Sequence, residues 1–249
     1  MTNTLIVRLM EKGKYVFSFL LCLNSQIYRS NPFKIVSFFL FFCNLAPSCK
    51  HGHHDEVLQE GDLLFQNLNC GDLCDAIEAV TEGVDGKEYS HCGLVAKFND
   101  TLKVIEAIGD KVQVNSLHNF FARSGDTIII QNITIGRVKK QYEKMILNAI
   151  SKAKQLIGHP YDDEFLLNNG KWYCSELIYE IFRQANNQQD FFKLEPMTFK
   201  DPLTQSFFPA WIRYYNGLQT EIPEGKPGIN PGIISRSSNV EIININCIN

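Results

Sequence analysis

The pattern of apolar and polar positions predicts a helix that begins at Cys174. A polar, turn-prone stretch at 168–170 precedes it. Apolar residues then recur at helical spacing, at Leu177, Ile178, Ile181, Phe182 and Ala185. Cys174 is therefore expected in the first turn, where free backbone N–H groups and the helix dipole favour a thiolate. A cysteine on such a stripe is also an ordinary core residue, so its chemistry depends on whether a base lies nearby.

The remaining pattern predicts an α+β fold in which an antiparallel sheet packs against helices. Turns at Asn-Asp and Gly-Asp separate three strand-like runs, at 91–98, 102–108 and 111–117, which indicates an antiparallel meander. Further strands are predicted at 62–66, 126–134 and 211–215. Helical spacing predicts helices at 71–80 and 138–157, the second ended by Gly158. The Pro/Gly-rich segment 223–232 is predicted to be a surface loop.

The first 49 residues are basic and apolar and resemble an export signal. The apolar run 35–43 has the length of a signal h-region and is too short for a membrane span. Ala-Pro-Ser before Cys49 is similar to a bacterial lipoprotein cleavage site, although ordinary cleavage after Ser48 also fits. An earlier apolar run, 15–23, would be explained by a start codon downstream of Met1.

These features divide the chain into three predicted parts: an export segment (1–49), a polar tether (50–59) and a folded domain (60–249). Cys49 is the predicted site of lipid attachment, and membrane contact through this anchor would put the protein in the cell envelope, facing the periplasm or the surface.

The charge distribution and the spacing of possible metal ligands argue against two classes of function, nucleic-acid binding and metal binding. Residues 1–49 carry five Lys/Arg and one acidic residue, whereas the rest of the chain carries 19 basic and 26 acidic side chains. An acidic domain argues against nucleic acid as a partner. His51, His53 and His54 lack a fourth ligand at metal-site spacing, so neither a metal nor another cofactor is predicted.

The cysteine count favours a reactive thiol. Of the eight cysteines, three fall within 1–49 and five remain: Cys70, Cys74, Cys92, Cys174 and Cys247. An odd number in an exported protein leaves at least one thiol without an intramolecular partner. A disulfide between Cys70 and Cys74 is compatible with their spacing but does not follow from it.

A candidate base and a candidate orienting group lie on neighbouring predicted strands. His91 begins its strand at the mouth of the sheet, and Gly93 allows close approach there. Glu106 is a charged residue within an apolar run on the next strand, and such a residue is rarely buried without a partner. With Cys174 at a helix N-terminus, this is the set of groups that a thiol protease uses.

Several short motifs occur in an order that resembles a known family. They are Ser-His-x-Gly-Leu-Val (90–95), Val-Ile-Glu-Ala (104–107) and Tyr-Cys-Ser-Glu-Leu (173–177), with supporting matches at 61–66, 158–162 and 223–228. This order is similar to the circularly permuted papain-fold, NlpC-like cysteine amidases of the YiiX-like group, over roughly 60–235. The resemblance implies that Cys174 is the nucleophile, His91 the base and Glu106 the orienting residue. It also implies a tyrosine near the site at Tyr161, as part of the oxyanion or substrate contact.

One residue departs from the family pattern. Cys92 stands where a small aliphatic residue is expected. It is predicted to lie on the opposite side of the strand from His91.

The resemblance implies a cysteine hydrolase that cleaves an amide or peptide bond through a thioester. Export would favour a peptidoglycan fragment as the substrate. Two alternatives stay open: a lipid acyl hydrolase or acyltransferase similar to LRAT, and a non-catalytic, surface-anchored binding module. Glu106 favours the amidase, because LRAT-like relatives usually orient the base with a second histidine.

Overall fold

A six-stranded antiparallel sheet forms the centre of the fold in the computed structural model, which describes residues 58–68, 70–124 and 133–243. Its strands lie in the order β4-β3-β2-β1-β5-β8. Their bounds are β1 Leu63–Gln66, β2 His91–Phe98, β3 Thr101–Ile108, β4 Lys111–Ser116, β5 Ile133–Val138 and β8 Val240–Ile243. A separate short pair joins β6, Glu195–Pro196, to β7, Pro227–Gly228.

The described ranges also contain six α-helices. They are α1 Asp72–Glu78, α2 Leu117–Phe121, α3 Glu143–Leu156, α4 Cys174–Ala185, α5 Pro209–Leu218 and α6 Pro231–Ser235. Among the same residues, none of the helices has both the length and the apolar character to span a bilayer.

Alternation along the strands separates two apolar layers. Leu94 and Ile105 belong to a core shared with α3 and α4, whereas Val95 and Val104 belong to a core shared with Phe120 of α2. Gly93 faces the α2 layer, where an added Cβ would come within 2.5 Å of the Val104 side chain. The close approach predicted for this glycine is therefore present.

The α+β class and the meander predicted from the sequence are confirmed. Strand β2 has the predicted bounds, and β3 and β4 differ from theirs by one residue each. The helix that begins at Cys174 is present, and its apolar stripe is buried except at Ala185, which is half-buried. The predicted helix at 71–80 is the shorter α1.

The boundary between β5 and α3 was predicted wrongly. The predicted strand 126–134 lies mostly outside the described residues, and β5 instead continues to Val138. Val138 pairs with Val240 of β8, so it cannot begin the helix that the sequence predicted at 138–157. The α-helix begins at Glu143, after a short 3₁₀ turn at Lys140–Tyr142.

The predicted strand at 211–215 is wrong, because this segment lies within helix α5. Aromatic residues favour strands, but Trp211 and Tyr215 are four apart and both are buried on one helix face. Pro209 occupies the first turn of α5, where its fixed φ favours a helix start. Tertiary packing against Phe199 therefore decides the structure over local propensity.

The buried hydroxyl of Tyr215 gives a stability test of this helix. It donates to the backbone oxygen of Glu164 at 3.2 Å. We expect Tyr215→Phe to lower the free energy of unfolding by about 1 kcal/mol, because the carbonyl loses its partner. Tyr214→Phe is the matched control, since its hydroxyl contacts Asp163 near solvent, and urea denaturation should leave it within about 0.5 kcal/mol of wild type. Equal losses in the two variants would contradict the packing described here.

The segment predicted as a surface loop at 223–232 is partly buried. It contains β7 and leads into α6, whose N-cap Asn230 accepts a hydrogen bond from the Ile233 backbone N–H at 2.8 Å. Ile229 is buried, and a Cβ at Gly232 would meet backbone oxygens of Thr81 and Glu82 at 2.4 Å. Composition alone suggested an open turn for this segment. The glycines instead permit close packing.

Cys70 and Cys74 form a disulfide, an arrangement that the sequence left open. Cys92 and Cys174 are buried free thiols. The predicted export segment, the tether residues 50–57 and the predicted lipid site Cys49 lie outside the described residues, as does Cys247.

Candidate active site

Cys174 is the first residue of α4, and contacts from two loops fix the start of this helix. The carboxyl group of Glu176 accepts hydrogen bonds from the backbone N–H groups of Tyr173 and Asn168. Tyr173 is the N-cap and Glu176 the third helical residue, so this is the glutamate half of a capping box. The Ser175 hydroxyl donates to the Ile229 backbone oxygen at 2.9 Å. These contacts hold the first turn of α4 in place, and Cys174, the candidate nucleophile, is part of that turn.

His91 and Glu106 meet on the face of the sheet that α2 covers. The Nε2 atom of His91 lies 2.5 Å from Oε2 of Glu106, and both side chains are buried. Because Nε2 faces the carboxylate, the other ring nitrogen is left for Cys174, to which His91 is also hydrogen-bonded. The ring of Phe120 lies against His91 at 5.8 Å between centroids. The structure thus brings together the three residues that the sequence predicted.

Glu106 has two further partners that sequence reasoning missed. Asn115 Nδ2 donates to Oε1 at 2.9 Å, and Arg123 Nη2 donates to Oε1 at 2.7 Å and to Oε2 at 2.6 Å. Asn115 lies on β4, opposite Val104 in the register, and so faces the same side of the sheet as Glu106. These donors hold the carboxylate in one orientation toward His91.

The electrostatics favour an imidazolium–thiolate pair. Burial opposes the charge on His91, but hydrogen bonds to Cys174 and Glu106 outweigh it and raise the pKa of His91 to about 9. The hydrogen bond from Cys92 lowers the pKa of Cys174, and the hydrogen bond and charge of His91 lower it further. Together they hold this pKa well below its usual range in spite of burial. Contact with His91 and Arg123 lowers the pKa of Glu106, again against burial.

Cys92 is the contact to the thiol that sequence reasoning missed. It was predicted to face away from His91, and it lies in the α4-side core together with Cys174. Both its side chain and its backbone N–H are hydrogen-bonded to Cys174. Strand alternation already separated Cys92 from His91, but the contact with Cys174 depends on how α4 crosses the sheet.

A cavity of about 260 Å³ opens onto Cys174. Tyr161 lies in its wall, and burial, followed by the nearby Cys174 charge, raises the pKa of this tyrosine well above its usual value. Tyr161 is therefore a neutral phenol that can donate a hydrogen bond. Most of the remaining wall is apolar, formed in part by Ile77, Val80, Phe165, Met197, Phe199 and Trp211. Glu195 and Arg236 are its charged members.

Comparison with known proteins identifies the family. Residues 57–244 match the family described as permuted papain-like amidase enzyme, YaeF/YiiX, C92 family. This chain belongs to that family. The permuted papain-like fold implied by the motif order is thereby confirmed.

Two relatives of this member of the permuted papain-like amidase family are similar over part or most of their length. The uncharacterized protein YiiX of Escherichia coli strain K12 is 27% identical over 128 residues, which is 51% of this chain and 58% of that protein. The chain thus spans little more than half the length of this curated relative. The crystal structure of metalloprotein yiiX from Escherichia coli O157:H7 has a TM-score of 0.61 at 20% identity, covering 76% of this chain and 97% of that one. At this identity, the similarity to the crystal structure concerns the fold.

The E. coli protein is described as a metalloprotein, and this description concerns that protein alone. In the described part of this amidase-family chain, no group of three or more His, Cys, Asp or Glu side chains could hold a metal ion. The donors nearest Cys174 are instead engaged with one another, His91 with Glu106 and with the thiol itself. These residues do not fit a metal centre.

Proposed function

We propose that this chain is a cysteine amidase or peptidase in which Cys174 is the nucleophile, His91 the general base and acid, and Glu106 the group that orients His91. The observation that carries the proposal is the continuous buried chain of contacts from Cys174 through His91 to Glu106. Membership of a permuted papain-like amidase family supports amide hydrolysis as the reaction.

The proposed reaction starts from the ion pair. The Cys174 thiolate attacks the amide carbonyl, and the imidazolium of His91 gives its proton to the departing amine. Water then attacks the thioester while neutral His91 takes its proton, which releases the acid and restores the ion pair. The carboxylate of Glu106 keeps the ring aligned through both steps.

The developing oxyanion would lie near the N-terminus of α4. The backbone N–H of Cys174 and the neutral phenol of Tyr161 are the donors that we assign to it. The position of Tyr161 in the cavity wall supports this assignment, because a half-buried donor stabilises charge more strongly than one in open solvent.

The substrate is proposed to be a peptide or another amide, and the predicted export favours a fragment of peptidoglycan. The apolar cavity favours a second candidate, hydrolysis or transfer of a lipid acyl group. Met197, Phe199 and Trp211 would contact an apolar substituent better than a charged peptide stem. The charged members Glu195 and Arg236 favour the peptide.

A substrate panel tests the proposal. Purified wild type and Cys174→Ala would be incubated with muropeptides, N-acyl amino acids and diacyl lipids, and products followed by mass spectrometry. We expect amide cleavage by wild type that Cys174→Ala abolishes. Ester cleavage without amide cleavage would support the lipid candidate, and turnover retained by Cys174→Ala would refute the nucleophile. An unreactive thiol in wild type would favour a binding module.

The proposed lipid anchor has its own test. If Cys49 is cleaved from its signal and acylated, the mature N-terminus should carry a diacylglyceryl cysteine, and detergent should be needed to extract the protein. Mass spectrometry of the N-terminal peptide from wild type and Cys49→Ser measures this. A mature chain that retains residues 35–43 would contradict it.

A further inference from the structure

Two free thiols lie in the same buried core cluster at the base of the cavity, and the proposed hydrolysis uses only one of them. Cys174 lines the cavity, whereas Cys92 is completely buried and does not. The Cys92 side chain is hydrogen-bonded to Cys174. A disulfide between neighbouring thiols requires their sulfur atoms to close to roughly 2.0 Å.

We infer that Cys92 and Cys174 form a site of reversible oxidation, in which a peroxide oxidises Cys174 and Cys92 then captures it as a disulfide. The access route supports this order of events. A peroxide can reach Cys174 through the cavity but meets Cys92 only behind it. Cys174 is also the thiolate of the pair, and the thiolate is the form that attacks peroxides.

The chemistry balances in two steps. The Cys174 thiolate attacks one peroxide oxygen and becomes a sulfenic acid, and the other oxygen leaves and is protonated to water or an alcohol. Cys92 then attacks the sulfenic sulfur, the S–S bond forms, and the hydroxyl leaves with the Cys92 proton as water. Two thiols lose two electrons in total, and one peroxide is reduced.

The charge of Cys174 controls the second step. Burial, followed by the hydrogen bond and charge of Cys174, raises the pKa of Cys92 well above its usual value. Conversion of Cys174 to the sulfenic acid removes that negative charge, so Cys92 becomes more acidic once its partner is oxidised. Cys92 therefore stays a thiol while Cys174 is reduced and becomes a better nucleophile when Cys174 is oxidised.

This site would protect the proposed nucleophile in an oxidising compartment. The Cys70–Cys74 disulfide is compatible with such a compartment. A sulfenic acid without a neighbouring thiol proceeds to sulfinic and sulfonic acids, which are not readily reversed. The Cys92–Cys174 disulfide would stop this loss, block the thiol while oxidised, and return it on reduction.

The test compares wild type with Cys92→Ser, which keeps a hydroxyl donor beside Cys174 but cannot form the disulfide. Both proteins are treated with graded hydrogen peroxide, alkylated with iodoacetamide before or after dithiothreitol, and mapped by mass spectrometry. In wild type we expect a linked Cys92–Cys174 peptide and recovery of at least about nine-tenths of the alkylatable Cys174. In Cys92→Ser, Cys174 should reach the sulfinic or sulfonic acid, with at least about a tenfold lower recovery.

Cys92→Ala is the second variant if the buried serine impairs folding, and it should behave in the same way. The inference is overturned if wild type gives no linked peptide, or if Cys174 is lost irreversibly at the same rate in wild type and variants. Because the measurements need no substrate, a protein inactive on every amide could still form the disulfide. Failure of the proposed hydrolysis is therefore distinguishable from failure of this inference.

Discussion

Replacing His91 with alanine should lower amide hydrolysis by about 10²–10⁴-fold, because the variant lacks both the base and the acid of the proposed reaction. The rate of Cys174 alkylation should fall by a smaller factor than the rate of hydrolysis. An ordinary thiol with a pKa near 8.5 is only about 0.3% thiolate at pH 6. The hydrogen bond from Cys92 and the helix dipole remain in the variant and continue to stabilise the thiolate.

Alkylation rates separate these contributions. At pH 6 we expect iodoacetamide to react with His91→Ala roughly three- to tenfold more slowly than with wild type, and with His91→Ala/Cys92→Ala about 100-fold more slowly. The matched control is His118→Ala, an exposed histidine on α2 that should leave both rates unchanged. An identical pH profile in wild type and His91→Ala would mean that the imidazole does not stabilise the thiolate.

The wild-type pH dependence follows from the same pair. The proposed hydrolysis needs the Cys174 thiolate and the His91 imidazolium together. Because the pKa of Cys174 is lowered and that of His91 is raised to about 9, this state should persist from mildly acidic pH up to that value. The alkaline limb of kcat/KM should therefore fall near pH 9, and His118→Ala should not move it. An alkaline limb near pH 6.5 would indicate that His91 is not paired with Cys174 and Glu106.

The sequence predicted those parts of the site that coincide with the ends of regular elements. Cys174 follows a turn and starts an apolar helical stripe, and His91 starts a strand, so periodicity located both. Glu106 stood out because a charge within an apolar strand needs a partner. Asn115 was also within reach, since alternation in the meander places it on the same face as Glu106.

The features that the sequence did not predict depend on how helices and strands pack against one another in three dimensions. Arg123 reaches Glu106 because the chain turns back over the sheet after α2, which no local pattern encodes. Cys92 meets Cys174 because α4 packs against the face of β2 to which Cys92 belongs. Trp211 was assigned to a strand because aromatic residues favour strands, but burial with Tyr215 on one face selects a helix.

Glu106 should be required for turnover while Cys174 stays reactive. Glu106→Gln keeps the shape of the side chain but removes its charge, so His91 loses the partner that aligns it. We expect hydrolysis to fall by about 10²–10⁴-fold while iodoacetamide still modifies Cys174, because Cys92 and the helix N-terminus are untouched. Activity equal to wild type would mean that another group orients the base.

The pairing of Glu106 with Arg123 predicts an additional effect on stability. Glu106→Leu leaves the Arg123 guanidinium and the buried His91 without their acceptor, which should cost about 3–5 kcal/mol of unfolding free energy. The pKa of Glu106 is lowered below its ordinary 4.5, so its charged contacts contribute stability above that pH and lose it as pH falls further. Glu106→Leu should therefore abolish much of the wild-type loss of stability below pH 4.5.

A double variant distinguishes stability from catalysis. Glu106→Leu/Arg123→Met replaces both charged partners with apolar side chains, and urea denaturation should recover most of the lost stability. Hydrolysis should stay as low as in Glu106→Leu, since restored packing does not orient His91. Recovery of turnover together with stability would contradict an orienting role, because Glu106 would then act only by holding Arg123 and the fold in place.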